Sequence, residues 1–155
     1  MVIVESSVFV KAKAPGDFLW MVKRPEYADA LFIIGENFLD SMRTKATAGG
    51  GTARLRPYTY QLMSAADRLA GKPPRAAGVP TGFSINTEGF PYLDDHYIKR
   101  AIDLSLERIV LILDTYPGIK RVIFSSDPNN SSLIGTNIFK STLSPIVIEY
   151  ISKAI

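Results

Sequence analysis

At 155 residues with a net charge of +3, the chain is expected to fold as one domain, long enough to bury a core without metals or disulfides. It has no cysteine, which excludes thiolate nucleophiles, Cys-ligated zinc, iron–sulfur clusters and a disulfide framework. Its 18 Lys and Arg residues are scattered among 15 Asp and Glu, so a duplex nucleic-acid-binding face is not expected, whereas small anionic ligands suit the balance.

No stretch approaches the about 20 apolar residues of a membrane span, and the first seven residues lack the basic region and apolar core of a signal peptide. The expectation is a soluble, cytoplasmic protein with no membrane association. Taken in order, residues 2–13 are rich in Val and Ile and predict one or two strands, ended by Ala14-Pro15-Gly16-Asp17. Asp17 is expected to cap a short turn carrying Phe18, Leu19 and Trp20, and Arg24-Pro25-Glu26 marks a second break. Leu31-Phe32-Ile33-Ile34 is an unbroken apolar run, the pattern of a strand covered on both faces, and Gly35 lets the chain turn where it stops. Ligands in open α/β sheets collect beyond the carboxyl ends of such strands, so Glu36 and Asn37 are expected at a binding edge.

A weak helical pattern at residues 38–45 leads to Gly49, Gly50 and Gly51, whose freedom at positive φ allows close backbone approach to a ligand. Thr52 and the alternating Arg54 and Arg56 are read as a helix start with its N–H groups toward an anion, against the plainer reading of a flexible loop with surface arginines. Residues 58–70, with Leu62, Ala65, Ala66 and Leu69 at helical spacing, predict a helix stopped by Gly71-Lys72-Pro73-Pro74. Residues 75–81 lead into a short extended piece at 82–85. A long helix is then predicted from Asp94 or Asp95, with Ile98, Ala101, Ile102, Leu106, Ile109, Val110 and Leu113 on one stripe. Tyr116-Pro117-Gly118 ends it, residues 120–125 form another buried strand, 126–137 a loop, and Pro145 begins a final helix to the end. Strand, helix and strand in this order predict an α/β layer architecture with some parallel pairing.

The second loop repeats the arrangement of the first, because it too follows an apolar strand. Ser126, Gly135, Thr136 and Asn137 are expected to offer hydroxyl and backbone N–H groups to phosphate, and Phe139 to stack on a sugar or base; a solvated turn and a core phenylalanine are the plainer readings. Glu36 and Asp127 are the carboxylates expected to face the cleft, although Asp127 before Pro128 is also ordinary turn chemistry. His96, the single histidine, lies beside two capping aspartates and is expected at the surface; no metal site and no cofactor are expected.

These pieces together resemble a group of small phage and bacterial proteins that share a Gly-[Asp/Glu]-Asn turn, a Gly-Gly-x-Ala-x-x-Arg turn, a Gly-[Ile/Val]-Pro-Thr strand and a late Ser-Asp…Gly-Thr-Gly loop. Here they read Gly35-Glu36-Asn37, Gly50-Gly51-Thr52-Ala53 with Arg54 or Arg56, Gly78-Val79-Pro80-Thr81, and Ser126-Asp127 followed by Gly135-Thr136-Asn137. More distantly, residues 29–37, Gly49-Gly50-Gly51-Thr52-Ala53 and residues 134–139 are similar to the strand and two phosphate loops of a macro domain, the ADP-ribose-binding fold. That resemblance implies a three-layer α/β/α single domain over residues 1–155 with a mixed, partly parallel sheet. It further implies that Asn37 faces the distal ribose, that the two glycine loops hold the diphosphate, that Phe139 lies against the ribose, and that Asp17 in Gly16-Asp17-Phe18 reads the adenine amine.

Three expectations follow. The first is binding of ADP-ribose or a related NAD-derived or cyclic nucleotide, which in a phage setting would sequester or degrade a host signal in the host cytoplasm. The second adds hydrolysis, with Asn37 positioning a ribose and Glu36 or Asp127 helping a water. The third is an interaction or assembly protein that keeps the fold without the ligand, as a homo-oligomer or with a protein partner, using Phe18, Trp20, Met21, Tyr58 and Tyr60 as an exposed patch.

Overall fold

The structure is a computed structural model that describes residues 2–37, 51–82, 95–127 and 130–134. Its elements are β1 (Ile3–Ser7), α1 (Phe18–Met21), a 3₁₀ turn at Pro25–Tyr27, β2 (Ala30–Asn37), and 3₁₀ segments at Gly51–Tyr58 and Tyr60–Leu62. There follow α2 (Ala65–Leu69), β3 (Ala76–Gly82), α3 (Asp95–Thr115), β4 (Arg121–Asp127) and β5 (Asn130–Ile134). The strands lie in the order β1-β4-β2-β3 with every neighbouring pair parallel, and β5 pairs antiparallel with β4. The chain is thus mixed α/β around a four-stranded parallel sheet.

The apolar run of β2 behaves as a strand buried on both faces. Successive side chains point to opposite faces, so Leu31 and Ile33 join Ala77, Val79 and Val122 on one side and meet Ile102 and Ile109 of α3. Phe32 and Ile34 join Ala76 and Ile123 on the other, against Phe18, Met21 and Val22 around α1 and Leu55 of the first 3₁₀ segment. The Phe18 ring sits 4.9 Å from that of Phe32. Each of the Leu, Ile, Val, Phe and Met side chains among these contributes about 1.5–3 kcal/mol when fully buried.

Proline within β3 follows from its place at the edge. Phe32 N–H donates to the Arg75 carbonyl at 2.9 Å, so that carbonyl and the backbone groups of residues 77 and 79 face β2 while those of 76, 78 and 80 face outward. Pro80 therefore lacks an N–H only where no ladder partner needs one.

Two arginines close the amino end of the sheet. Arg75, half-buried, donates from Nη2 to the Tyr27 carbonyl at 2.7 Å, from Nη1 to that of Val22 at 3.0 Å and from Nε to that of Ala30 at 3.5 Å. Arg121 donates from Nε and Nη2 to Asp29 Oδ1 at 2.9 and 2.7 Å and from Nη2 to the Glu26 carbonyl at 2.6 Å, with its guanidinium over the Tyr27 ring. The Arg121 hydrogen bonds hold the Asp29 carboxyl below its ordinary value, and burial holds the Arg75 guanidinium below its own.

Several expectations are corrected. Residues 58–70 are not one helix: Met63 and Ser64 are extended, and the Ser64 hydroxyl accepts the Asp67 N–H at 3.1 Å, starting a new five-residue helix that leaves Leu69 89% exposed. The segment after Gly51 is 3₁₀ rather than α, with Pro57 inside it. β1 stops at Ser7, leaving Val10 outside the strand and exposed. Residues 76–82, whose own pattern predicts only a lead into the extended piece at 82–85, form β3, which contains the Gly78-Val79-Pro80-Thr81 strand of the resemblance, while 83–85 lie outside the described residues. Residues 126–137 are not all loop because they contain β5. On α3, Ile102 and Ile109 are buried but Val110 is exposed. Phe18 and Met21 are core residues, not part of an exposed patch, whereas Tyr60 is exposed. The helices expected at 38–45 and at the carboxyl end, and Asp94, lie outside the described residues.

Replacing Arg75 by Met, which keeps the stem and removes the donors, should destabilise the fold by about 2–3 kcal/mol in urea unfolding, since three carbonyls lose a charged partner. The Asp29 carboxyl has a lowered folded pKa, so its contribution is present above the ordinary value near pH 4 and is lost as pH falls through the folded value. The stability difference between wild type and Asp29→Asn should accordingly be full at pH 7 and shrink at more acidic pH than about 4.

Candidate functional site

All four parallel strands end at one edge. β1 and β4 stay paired to Ser7 opposite Ser125, and β2 and β3 stay paired to Asn37 opposite Gly82, past a shift in register between Glu36 and Asn37. Between these two pairs the central ladder is shorter: β2 and β4 are matched from Ala30 opposite Arg121 to Ile33 opposite Phe124, and no further. Beyond that point residues 34–37 and 125–127 run on for about 13 and about 10 Å, on separate partners. The end of β2 is paired with β3, at one side of the sheet, and the end of β4 with β5, which contacts β1 at the other. Two adjacent central strands whose ends pair to opposite sides leave a division at the carboxyl edge, the kind of place where α/β sheets collect ligands.

Glu36, Asn37, Ser126 and Asp127 are thereby brought to the same edge, as backbone positions at the ends of β2 and β4. Ser126 lies opposite Ile134 and Asp127 opposite Asn130 in the short β5 ladder. Asp17 lies after the loop that leaves β1. Its backbone is fixed by Gly16, which takes φ +103° and passes so close to β1's continuation that a Cβ there would fall 2.0 Å from the Val8 carbonyl oxygen. One carboxylate oxygen of Asp17 accepts the Lys13 N–H at 2.9 Å, and the side chain makes no cap to α1, so the expected capping role falls to the loop instead.

Gly51, Thr52 and Arg54 lie in the first 3₁₀ segment. That segment leads from the β2 end of the fold to the start of β3, where the Tyr58 carbonyl accepts the Arg75 N–H at 3.0 Å and Thr59 bridges Ala76. Arg54 is exposed, while Arg56 is 2% exposed beside buried Leu55. The Arg56 carbonyl accepts the Thr59 hydroxyl at 2.7 Å. Gly49, Gly50, Gly135, Thr136, Asn137 and Phe139 lie outside the described residues.

Sequence reasoning passed over Ser125. It is 1% exposed at the last position where β4 still pairs with β1, and its hydroxyl has no hydrogen-bond partner among the described residues. Alternation along β4 puts it on the face of Ile123, the face that also carries Ile34 and Leu55. A buried hydroxyl without a partner costs about 1–3 kcal/mol, so its place at the mouth of the β2–β4 division asks for a reason. The available signal was a polar residue continuing an apolar strand without a turn residue between them.

Among the described residues no group of three or more His, Asp and Glu gathers to hold a metal ion, and no helix is long and apolar enough to cross a membrane. No protein-family model, curated protein or solved structure matches the chain.

Proposed function

We propose that the protein binds a small nucleotide of the ADP-ribose type, or a related NAD-derived or cyclic nucleotide, at the carboxyl edge of its sheet, in a macro-domain-like arrangement. The observation that carries the reading is the early end of the β2–β4 ladder at Ile33 and Phe124, with both strands continuing to Asn37 and Asp127. The glycine-bearing segments at 49–51 and 135–136 follow these two strands in the sequence, which is where phosphate-holding backbone N–H groups belong. A ligand hydroxyl or phosphate oxygen in the crevice gives the Ser125 hydroxyl the partner it lacks among the described residues.

Isothermal titration with ADP-ribose and a nucleotide panel tests the proposal. Saturable heat is expected with at least one member, and no heat with any would remove the reading. Ser125→Ala should unfold no more easily than wild type, or be stabilised by about 1 kcal/mol, while binding more weakly. An unchanged affinity would take Ser125 out of the site.

A second reading has its own observation: β1 is the other edge strand of the four, and Ile3, Val4, Phe9 and Val10 are all exposed on it and just after it. We propose, as the alternative, self-association through this edge. Light scattering should then give twice the chain mass, falling to the single chain in Val4→Lys.

A further inference from the structure

The outer edge of β3 carries a feature the carboxyl-edge reading does not use. A cavity of about 370 Å³ opens between β3, the 3₁₀ turn at Tyr60–Leu62 and the middle of α3. Its floor is Ala76, Ala77 and Gly78, the smallest side chains of the strand, so the edge recedes there. Past the bridge from Thr59 to Ala76 no described strand covers it, and the Gly78 backbone, by the alternation set at Phe32, faces outward. Leu111 and Ile112 form the wall on α3, and Leu111 is 65% exposed, on a helix whose Ile102 and Ile109 are fully committed to the core.

Polar groups around this apolar hollow are mostly spent on the chain itself. The Ser105 hydroxyl donates to the Ala101 carbonyl at 3.0 Å, and the Thr59 hydroxyl to that of Arg56 at 2.7 Å. Arg108 is the exception. The residues three and four positions from it on α3 are Leu104, Ser105, Leu111 and Ile112, none of them acidic, and it makes no ion pair among the described residues. A second cation reinforces the field, since Arg68 lies over the Tyr60 ring at 4.8 Å and donates to the Tyr60 and Gln61 carbonyls at 2.8 Å.

A hollow of this size, apolar on floor and wall and bordered by a guanidinium that makes no ion pair among the described residues, has the composition of a small-molecule site. It lies at the first residues of β3, whereas the carboxyl edge begins beyond its last. We infer that it is a second binding site, for a small anion with a flat apolar body, such as an aromatic carboxylate or sulfonate. The apolar body rests against Ala77, Leu111 and Ile112, and the anionic group meets Arg108 with Gly78 N–H within the same hollow.

The probe is 1-anilinonaphthalene-8-sulfonate with the full chain, read by fluorescence, beside the uncharged dye Nile red. One saturable site is expected for each. Arg108→Glu should weaken the sulfonate about tenfold and leave Nile red within about twofold. Arg108→Lys should restore most of the sulfonate affinity, and Leu111→Glu should abolish binding of both, all with unchanged far-UV circular dichroism. Excess ADP-ribose should displace neither dye, which separates failure here from failure at the carboxyl edge. Absence of saturable binding, an isotherm unchanged by Leu111→Glu, equal losses of both dyes in Arg108→Glu, or displacement by ADP-ribose would each overturn the inference.

Discussion

The position of β2 depends on two guanidinium groups that reach it from its neighbours. Arg75, just before β3, and Arg121, at the start of β4, both address the turn between Val22 and Ala30 that feeds β2. The need for them follows from the sequence of the strand. Hydrophobic pattern fixes register when one face is wet, because a slip of one residue would turn the wrong side chains outward. With both faces of β2 apolar, a slip would trade Leu31 and Ile33 for Phe32 and Ile34 at little hydrophobic cost. Directional bonds to Tyr27, Val22, Glu26 and Asp29 supply the specificity that hydrophobicity lacks there.

Anchoring one end leaves the other free to differ. At the amino end Lys120 and Arg121 both donate backbone N–H groups to the Asp29 carbonyl, and side chains from two strands meet over one turn. At the carboxyl end the β2–β4 ladder stops early and the outer pairs run on. Because register is set at the anchored end, it also sets which residues of β2 and β4 come level at the open end. Ser125, buried without a partner among the described residues, lies on that far side of the arrangement.

β2, β4 and α3 were legible because each carries an unbroken signal: the apolar runs at 31–34 and 122–124, and Ile102 and Ile109 seven apart. The edge holding Glu36, Asn37, Ser126 and Asp127 was legible for the same reason, since it is where those runs end. The pattern of β3 did not mark it as a strand, because Ala76-Ala77-Gly78 has no β-branched residue and long-range pairing with β2 imposes the conformation; only the resemblance at Gly78-Val79-Pro80-Thr81 pointed to it. Residues 58–70 misled because helical spacing of Leu62 and Leu69 was present while the Ser64 cap divided the segment. Arg75 and Arg121 were illegible as anchors: their acceptors are 45 to 53 and 92 to 95 residues away, and nothing local marks them. Arg54 and Arg56 were read alike because charge alone suggested exposure, and burial beside Leu55 sets Arg56 apart.

Pro80 has a consequence for the sheet as a template. Along the outer side of β3 the outward positions are Ala76, already bridged by Thr59, then Gly78, then a residue with no donor. A foreign strand laid there gains one residue's worth of ladder before it meets the proline, too little to hold it. β1, at the opposite side, has no such stop within Ile3–Ser7. Among the described residues the two margins of the sheet thus differ, β3 being stopped by a proline and β1 not. Under the self-association proposed above, a pair formed through β1 would close on itself, because the stopped margin withholds the second contact that a growing fibre requires.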